Sequence, residues 1–255
     1  MEPVDLVDAH CHLYVEPLGG DPAGAMARAR AAGVATVVVP AYDLASWPLV
    51  RDLAAQDGVL AMYGLHPWVA DEELDPQRLA EALRGPRVAG VGEIGLDSRI
   101  EGPSLDVQRA ALTRQIELAI ELDLPVNLHC RGAFEELLGL LGRYRPRLRG
   151  MVHAFSRGPD LARRFLDLGL MLSFGGAITR PRAERARRSA REVPLESILL
   201  ETDAPSIGME GLRPEEVEPC HTRSVAQALA ELRGTKLEEV ARATTANAQR
   251  LFGSA

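Results

Sequence analysis

The sequence predicts an α/β fold, a (β/α)8 TIM barrel, from three observations. Short β-branched runs alternate with longer amphipathic segments along the whole chain of 255 residues. Strict alternation implies parallel strands joined by crossover helices, and eight such units in about 250 residues match a closed barrel better than an open sheet. No GxGxxG turn follows the first run, so the dinucleotide-binding open sheet lacks its fingerprint.

In chain order the strands are expected at residues 4–8, 34–39, 59–65, 88–92, 125–129, 150–153, 170–174 and 197–201. Each is a short apolar run of the kind that parallel strands use when covered on both faces. Between the fourth and fifth runs, Ala111, Leu112, Gln115, Leu118, Ala119 and Leu122 repeat with a period near 3.6, which predicts a helix. Residues 208–219, rich in Gly, Pro and Glu, form the longest expected loop, and two helical patterns follow it at about 222–233 and 237–252. No linker or composition shift divides the chain, so residues 1–255 are read as one barrel domain.

Hydrophobic residues make up 46% and charged residues 25% of the chain, the balance of a globular protein. No apolar stretch reaches the roughly 18 to 20 residues needed to cross a bilayer. The acidic start Met1-Glu2-Pro3-Val4-Asp5 is unlike a secretory signal, so a cytoplasmic location and no membrane association are expected. A formal charge of −7 disfavours broad electrostatic binding to duplex DNA. Cys11, Cys130 and Cys220 are widely spaced and form no CxxC pair, which fits reduced thiols.

The six histidines carry the chemistry. His10, His12, His66, His129 and His153 sit at or just beyond C-terminal strand ends, as do Glu93 and Asp203. In a barrel those ends converge on one face, where active sites are built. His10 and His12 are two apart, so on an extended chain both imidazoles face one side and Cys11 faces the other. Four imidazoles (His10, His12, His129, His153) with two carboxylates exceed what one tetrahedral zinc needs. They suit two divalent cations roughly 3.5–4 Å apart sharing a carboxylate. Nitrogen and oxygen donors admit zinc, manganese, nickel or magnesium. Lys236, the sole lysine, lies in a late helical stretch, which leaves Glu93 as the bridge.

The ordered set DAHCHL (8–13), GLHP (64–67), GEIGLD (92–97), LPVNLHCR (124–131), HAFS (153–156) and ETDAP (201–205) resembles the TatD family of metal-dependent deoxyribonucleases, within the amidohydrolase-like barrels. The motifs keep the family's order and similar gaps across nearly the full chain. The resemblance implies that His10 and His12 bind a first metal, Glu93 bridges, and His129 and His153 hold a second. It implies that Asp203 binds the first metal and orients the attacking water, and that His66 and Arg131 contact substrate phosphate; His66 reads equally as a structural residue that orients a ligand. The implied substrate is a DNA end or small phosphodiester, with no obligate protein partner.

Three stretches depart from the family pattern: Arg157 stands where glycine is usual, Val217-Glu218-Pro219 lacks the Asn of an Asn-x-Pro element, and Ala110-Ala111 replaces an aromatic. None removes an implied ligand; all three bear on the pocket. Arg157 with Arg180 and Arg182 is expected as a basic rim, while Arg143, Arg145, Arg147 and Arg149 belong to the barrel bottom. Asp8, Asp97 and Glu201 read as supporting acids, and His221 as the start of a helix. Two other readings stay open: a binuclear amide, ester or lactone hydrolase, and a non-catalytic barrel serving as a binding module.

Overall fold

The structure, a computed structural model, describes residues 5–253. Strands β1 (Leu6–Asp8), β2 (Val34–Pro40), β3 (Val59–Tyr63), β4 (Val88–Asp97), β5 (Val126–Arg131), β6 (Gly150–Val152), β7 (Met171–Phe174) and β8 (Ile198–Leu200) form one sheet in sequence order. Each neighbouring pair is parallel. The seam between β8 and β1 is joined by backbone hydrogen bonds, Ala9 N–H to the Leu200 carbonyl (2.8 Å) and Asp203 N–H to the His10 carbonyl (2.9 Å). The expected first position of β1, Val4, lies outside the described residues.

Helices α1 (Pro22–Ala31), α2 (Ser46–Leu53), α3 (Pro76–Leu83), α4 (Leu105–Glu121), α5 (Phe134–Leu141), α6 (Pro159–Asp167), α7 (Glu184–Glu192), α8 (Thr222–Arg233) and α9 (Leu237–Phe252) surround the sheet. Among the described residues, no helix is long and apolar enough to cross a membrane.

Strand alternation gives the sheet two apolar faces. The outer one packs Val37, Val39, Ile94, Leu128 and Phe174 against the helix layer. Inside, Val38, Leu60, Met62, Ala89, Met151 and Leu199 meet Ala248, Leu251 and Phe252 of α9. The lower barrel is thus a packed core rather than a pore, and polar chemistry is confined to the opposite, C-terminal strand ends.

The main departure from expectation is β4, which continues past Gly92 to Asp97. Its β-branched run stops early, but Gly92 and Gly95 let the backbone press against β5. A Cβ at Gly95 would lie 2.0 Å from the His129 carbonyl oxygen, and one at Gly92 2.7 Å from the Asn127 Cβ. The extension pairs Gly95 with His129 and Asp97 with Arg131. Two buried glutamines of α4 then fix the strand ends. Gln108 accepts the Asp97 N–H (2.8 Å) and Gln115 accepts the Leu65 N–H (2.7 Å).

Gly95→Ala should therefore destabilise the protein by at least about 2 kcal/mol, through steric overlap and a φ of +154°. Gly139→Ala in α5, where nothing lies within 4 Å of the added Cβ, should be neutral or stabilise by up to about 1 kcal/mol. Urea unfolding of the pair checks both signs; equal effects would contradict the packing described for β4 and β5.

Candidate metal centre

Asp8, fully buried at the end of β1, ties this strand to the segment after β8. Its Oδ1 accepts the N–H of His10 (3.2 Å) and of Thr202 (3.0 Å), and its Oδ2 accepts the Thr202 hydroxyl (2.6 Å). The strand ladder ends there, yet the two following histidines still converge, with their Nε2 atoms 3.1 Å apart. Cys11 packs into the outer core as expected, its N–H on the Val38 carbonyl at 3.0 Å.

Glu93 projects from β4 between two groups of imidazoles. Its Oε2 lies 3.3 Å from His10 Nε2 and 3.4 Å from His12 Nε2. Its Oε1 lies 2.9 Å from His153 Nε2, 3.0 Å from His129 Nδ1 and 3.2 Å from His66 Nε2. Asp203 Oδ1 completes the first group at 3.7 Å from His10 Nε2 and 3.6 Å from His12 Nε2. A tetrahedral site with bonds of about 2.0–2.2 Å has donors about 3.3–3.6 Å apart. The first group nearly meets that spacing, and the donor types fit a divalent cation.

The far side of three imidazoles is also held. His129 Nε2 lies 3.3 Å from Asp97 Oδ2, which accepts the Trp68 indole N–H at 2.9 Å. His10 Nδ1 faces the Asn127 side-chain amide, its nitrogen at 3.0 Å and its oxygen at 3.3 Å, and His12 Nδ1 faces the Tyr14 hydroxyl at 3.3 Å. Such partners fix ring orientation and raise donor basicity. His153 differs: its Nδ1 is buried without a hydrogen-bond partner, and Glu201 Oε1 stands 3.9 Å away.

His66 is buried in the same cluster. Its Nδ1 accepts the Trp68 N–H (3.2 Å), which leaves its other proton on Nε2, facing Glu93 Oε1. Arg131 ends β5 with its side chain 58% exposed and a guanidinium nitrogen 4.0 Å from Asp97 Oδ2. Asp203 adopts φ +52°, the left-handed region, which turns its side chain into the cluster. A cavity of about 280 Å³ opens beside it, lined by His129, Arg131, Phe134, His153, Arg157, Asp203 and Ile207 among others.

Burial and mutual charge set the proton affinities. Burial works to raise the Glu93 pKa, but attraction from His153, His66 and His10 outweighs it and holds the carboxyl well below its ordinary value. Burial pushes Asp203 up, against the pull of His10 and His12. It pushes His10 down to about 4. His129 goes the other way: burial opposes protonation, but hydrogen bonds to Asp97 and Glu93 carry it up to about 9.

The sequence brings His10, His12, His66, Glu93, His129, His153 and Asp203 into this one cluster, with Arg131 at its edge. Asn127, Tyr14, Gln108 and Gln115 are supporting residues that motif reading passed over; Asn127 was detectable, being two positions before His129 on the same strand. Arg180 and Arg182 are exposed and do not line the cavity, so of the expected rim only Arg157 does. Glu218, in the stretch lacking Asn, instead grips Arg28 of α1 (2.7 and 3.1 Å). His221 immediately precedes α8, as expected. Arg149 reaches the Leu251 carbonyl of α9, at the barrel bottom.

Two outcomes follow. At pH 7 His129, with a pKa of about 9, carries a proton that a cation on Nδ1 must displace. Cation uptake should therefore release at least one proton, with that release fading above pH 9. Calorimetry in buffers of different ionisation enthalpy reads the number; zero at pH 7 would contradict it. Asn127→Leu should weaken binding of a cation at His10 by about 10- to 100-fold, measured by competition with a chelator.

A model of the TatD related DNase family matches residues 7–253. The chain is 37% identical over 251 residues to the "Uncharacterized metal-dependent hydrolase YjjV" of Escherichia coli K12, covering 96% of this chain and 97% of that one. The crystal structure of YjjV superposes with a TM-score of 0.92, covering 98% of both chains. YabD of Bacillus subtilis, also named a metal-dependent hydrolase, is 32% identical over 251 residues, covering 97% and 98% of the two chains. A TatD family hydrolase structure from Entamoeba histolytica, 17% identical, shares the fold with a TM-score of 0.88 over 98% and 99%. With its motifs in order, its barrel and its donor cluster in place, this chain belongs to the TatD related DNase family.

Proposed function

We propose that the chain is a metal-dependent hydrolase that uses two divalent cations to cleave phosphodiester bonds, at DNA ends or in small nucleotides. The observation that carries this reading is the Glu93 carboxylate, whose two oxygens face separate sets of imidazoles. One cation would be held by His10, His12, Glu93 Oε2 and Asp203, the other by Glu93 Oε1, His129 and His153. Bound there, the cations would supply Lewis acidity to the phosphoryl group and make water acidic near neutrality.

The chain's own residues do the rest. Asp203, its proton affinity raised by burial, accepts the proton of the attacking water and returns it to the leaving oxygen as the P–O bond breaks. His66 donates to Glu93 Oε1 and holds the carboxylate between the two sets of imidazoles. This differs from the phosphate contact that the family resemblance implies, because the ring is only 3% exposed. Arg131, exposed at the mouth, suits a fork-shaped contact with a phosphate oxygen.

A binuclear amide, ester or lactone hydrolase is the second reading, favoured by the net charge of −7. Metal-loaded protein assayed on DNA, RNA, small phosphodiesters and a matching panel of amides, esters and lactones separates the two. Phosphodiester turnover should fall about 10²- to 10⁴-fold in Asp203→Asn. No phosphodiester turnover by the wild-type protein would remove the first reading.

A further inference from the structure

Arg157 lies in the loop between β6 and α6, where the family pattern carries glycine. Its guanidinium carbon sits 4.8 Å from the centre of the Phe134 ring. Its carbonyl accepts the hydroxyl of Ser189, a fully buried residue of α7, at 2.6 Å. Backbone and side chain are both anchored. Yet its Nε is buried without a hydrogen-bond partner. Arg131 has Asp97 at 4.0 Å and Arg164 grips Glu135, whereas Arg157 has no ion-pair partner among the described residues.

A guanidinium held in place with no carboxylate beside it is available to pair with an anionic ligand. The group lines the same 280 Å³ cavity as His153, Asp203 and Arg131. Phe134, Phe155 and Ile207 give that cavity apolar walls. The volume falls just below the roughly 300–1,000 Å³ of small-molecule sites, which suits one unit at a chain end rather than the body of a duplex.

We propose that Arg157 is a specificity residue that binds a second phosphoryl group of the substrate, adjacent to the one at Glu93 and Asp203. The substrate class is then a nucleotide or short DNA end bearing a terminal phosphate. This rests on the phosphodiester reading, so its test uses probes that contain no diester. Arginine's planar fork packs over the Phe134 ring and matches a phosphate better than lysine's point charge.

The experiment compares binding of thymidine 3′,5′-bisphosphate and thymidine 5′-monophosphate to the metal-loaded protein by calorimetry. The bisphosphate should bind at least about tenfold more tightly to wild type. That advantage should shrink to about twofold or less in Arg157→Gln, and Arg157→Lys should keep part of it. Equal affinities in wild type, or an undiminished advantage in either variant, would overturn the proposal; the wild-type and lysine measurements decide it even if the glutamine variant does not fold. Turnover of a diester is measured separately. A protein that cleaves none but keeps the Arg157-dependent advantage loses the phosphodiester reading and retains the subsite.

Discussion

The carboxylate of Glu93 is the constraint on which the centre depends. One buried side chain has both oxygens committed, Oε2 to His10 and His12 and Oε1 to His129, His153 and His66. A carboxylate so placed is tolerable only because positive charge surrounds it, whether imidazolium or cation. Its position requires β4 to run on past Gly92 and to lie tight against β5, which glycine at positions 92 and 95 permits. The motif GEIGLD thus encodes a backbone approach as much as a carboxylate.

The barrel supplies what no single segment could. Its lower half is filled by side chains from the strands and sealed by α9, which excludes water from beneath the site. Above that plug, donors on β4 and β5 and just past β1, β6 and β8 lie 2.9–3.7 Å from a neighbouring donor. Asp8 locks the seam where the first and last strands join, so His10 and Asp203 keep their mutual geometry although they are far apart in sequence. Supporting residues then orient the rings, with Asp97, Asn127 and Tyr14 each behind a different histidine.

Much of this was legible in the sequence because two physical patterns are strong. Buried parallel strands appear as short apolar runs, and residues just past them must share a face. The eight strands and the histidines at their ends follow from that alone. The length of β4 did not, since glycines interrupt its apolar pattern while improving its fit. For His66 the sequence leaves an orienting role and a substrate contact both open, because which ring nitrogen faces Glu93 depends on the Trp68 backbone amide. Asn127 shows only through its place two residues before His129, Tyr14 shows no signal, and the stacking of Arg157 depends on Phe134 from a neighbouring unit. Arg180 and Arg182 follow the right strand but are exposed and do not line the cavity.

Direct location of cations in crystals of the loaded protein, by anomalous scattering at the metal edge, bears most closely on the bridge. Two peaks about 3.5–4 Å apart, each bonded to a different oxygen of Glu93, are predicted. A single peak, or a pair that leaves Glu93 uncoordinated, would contradict it.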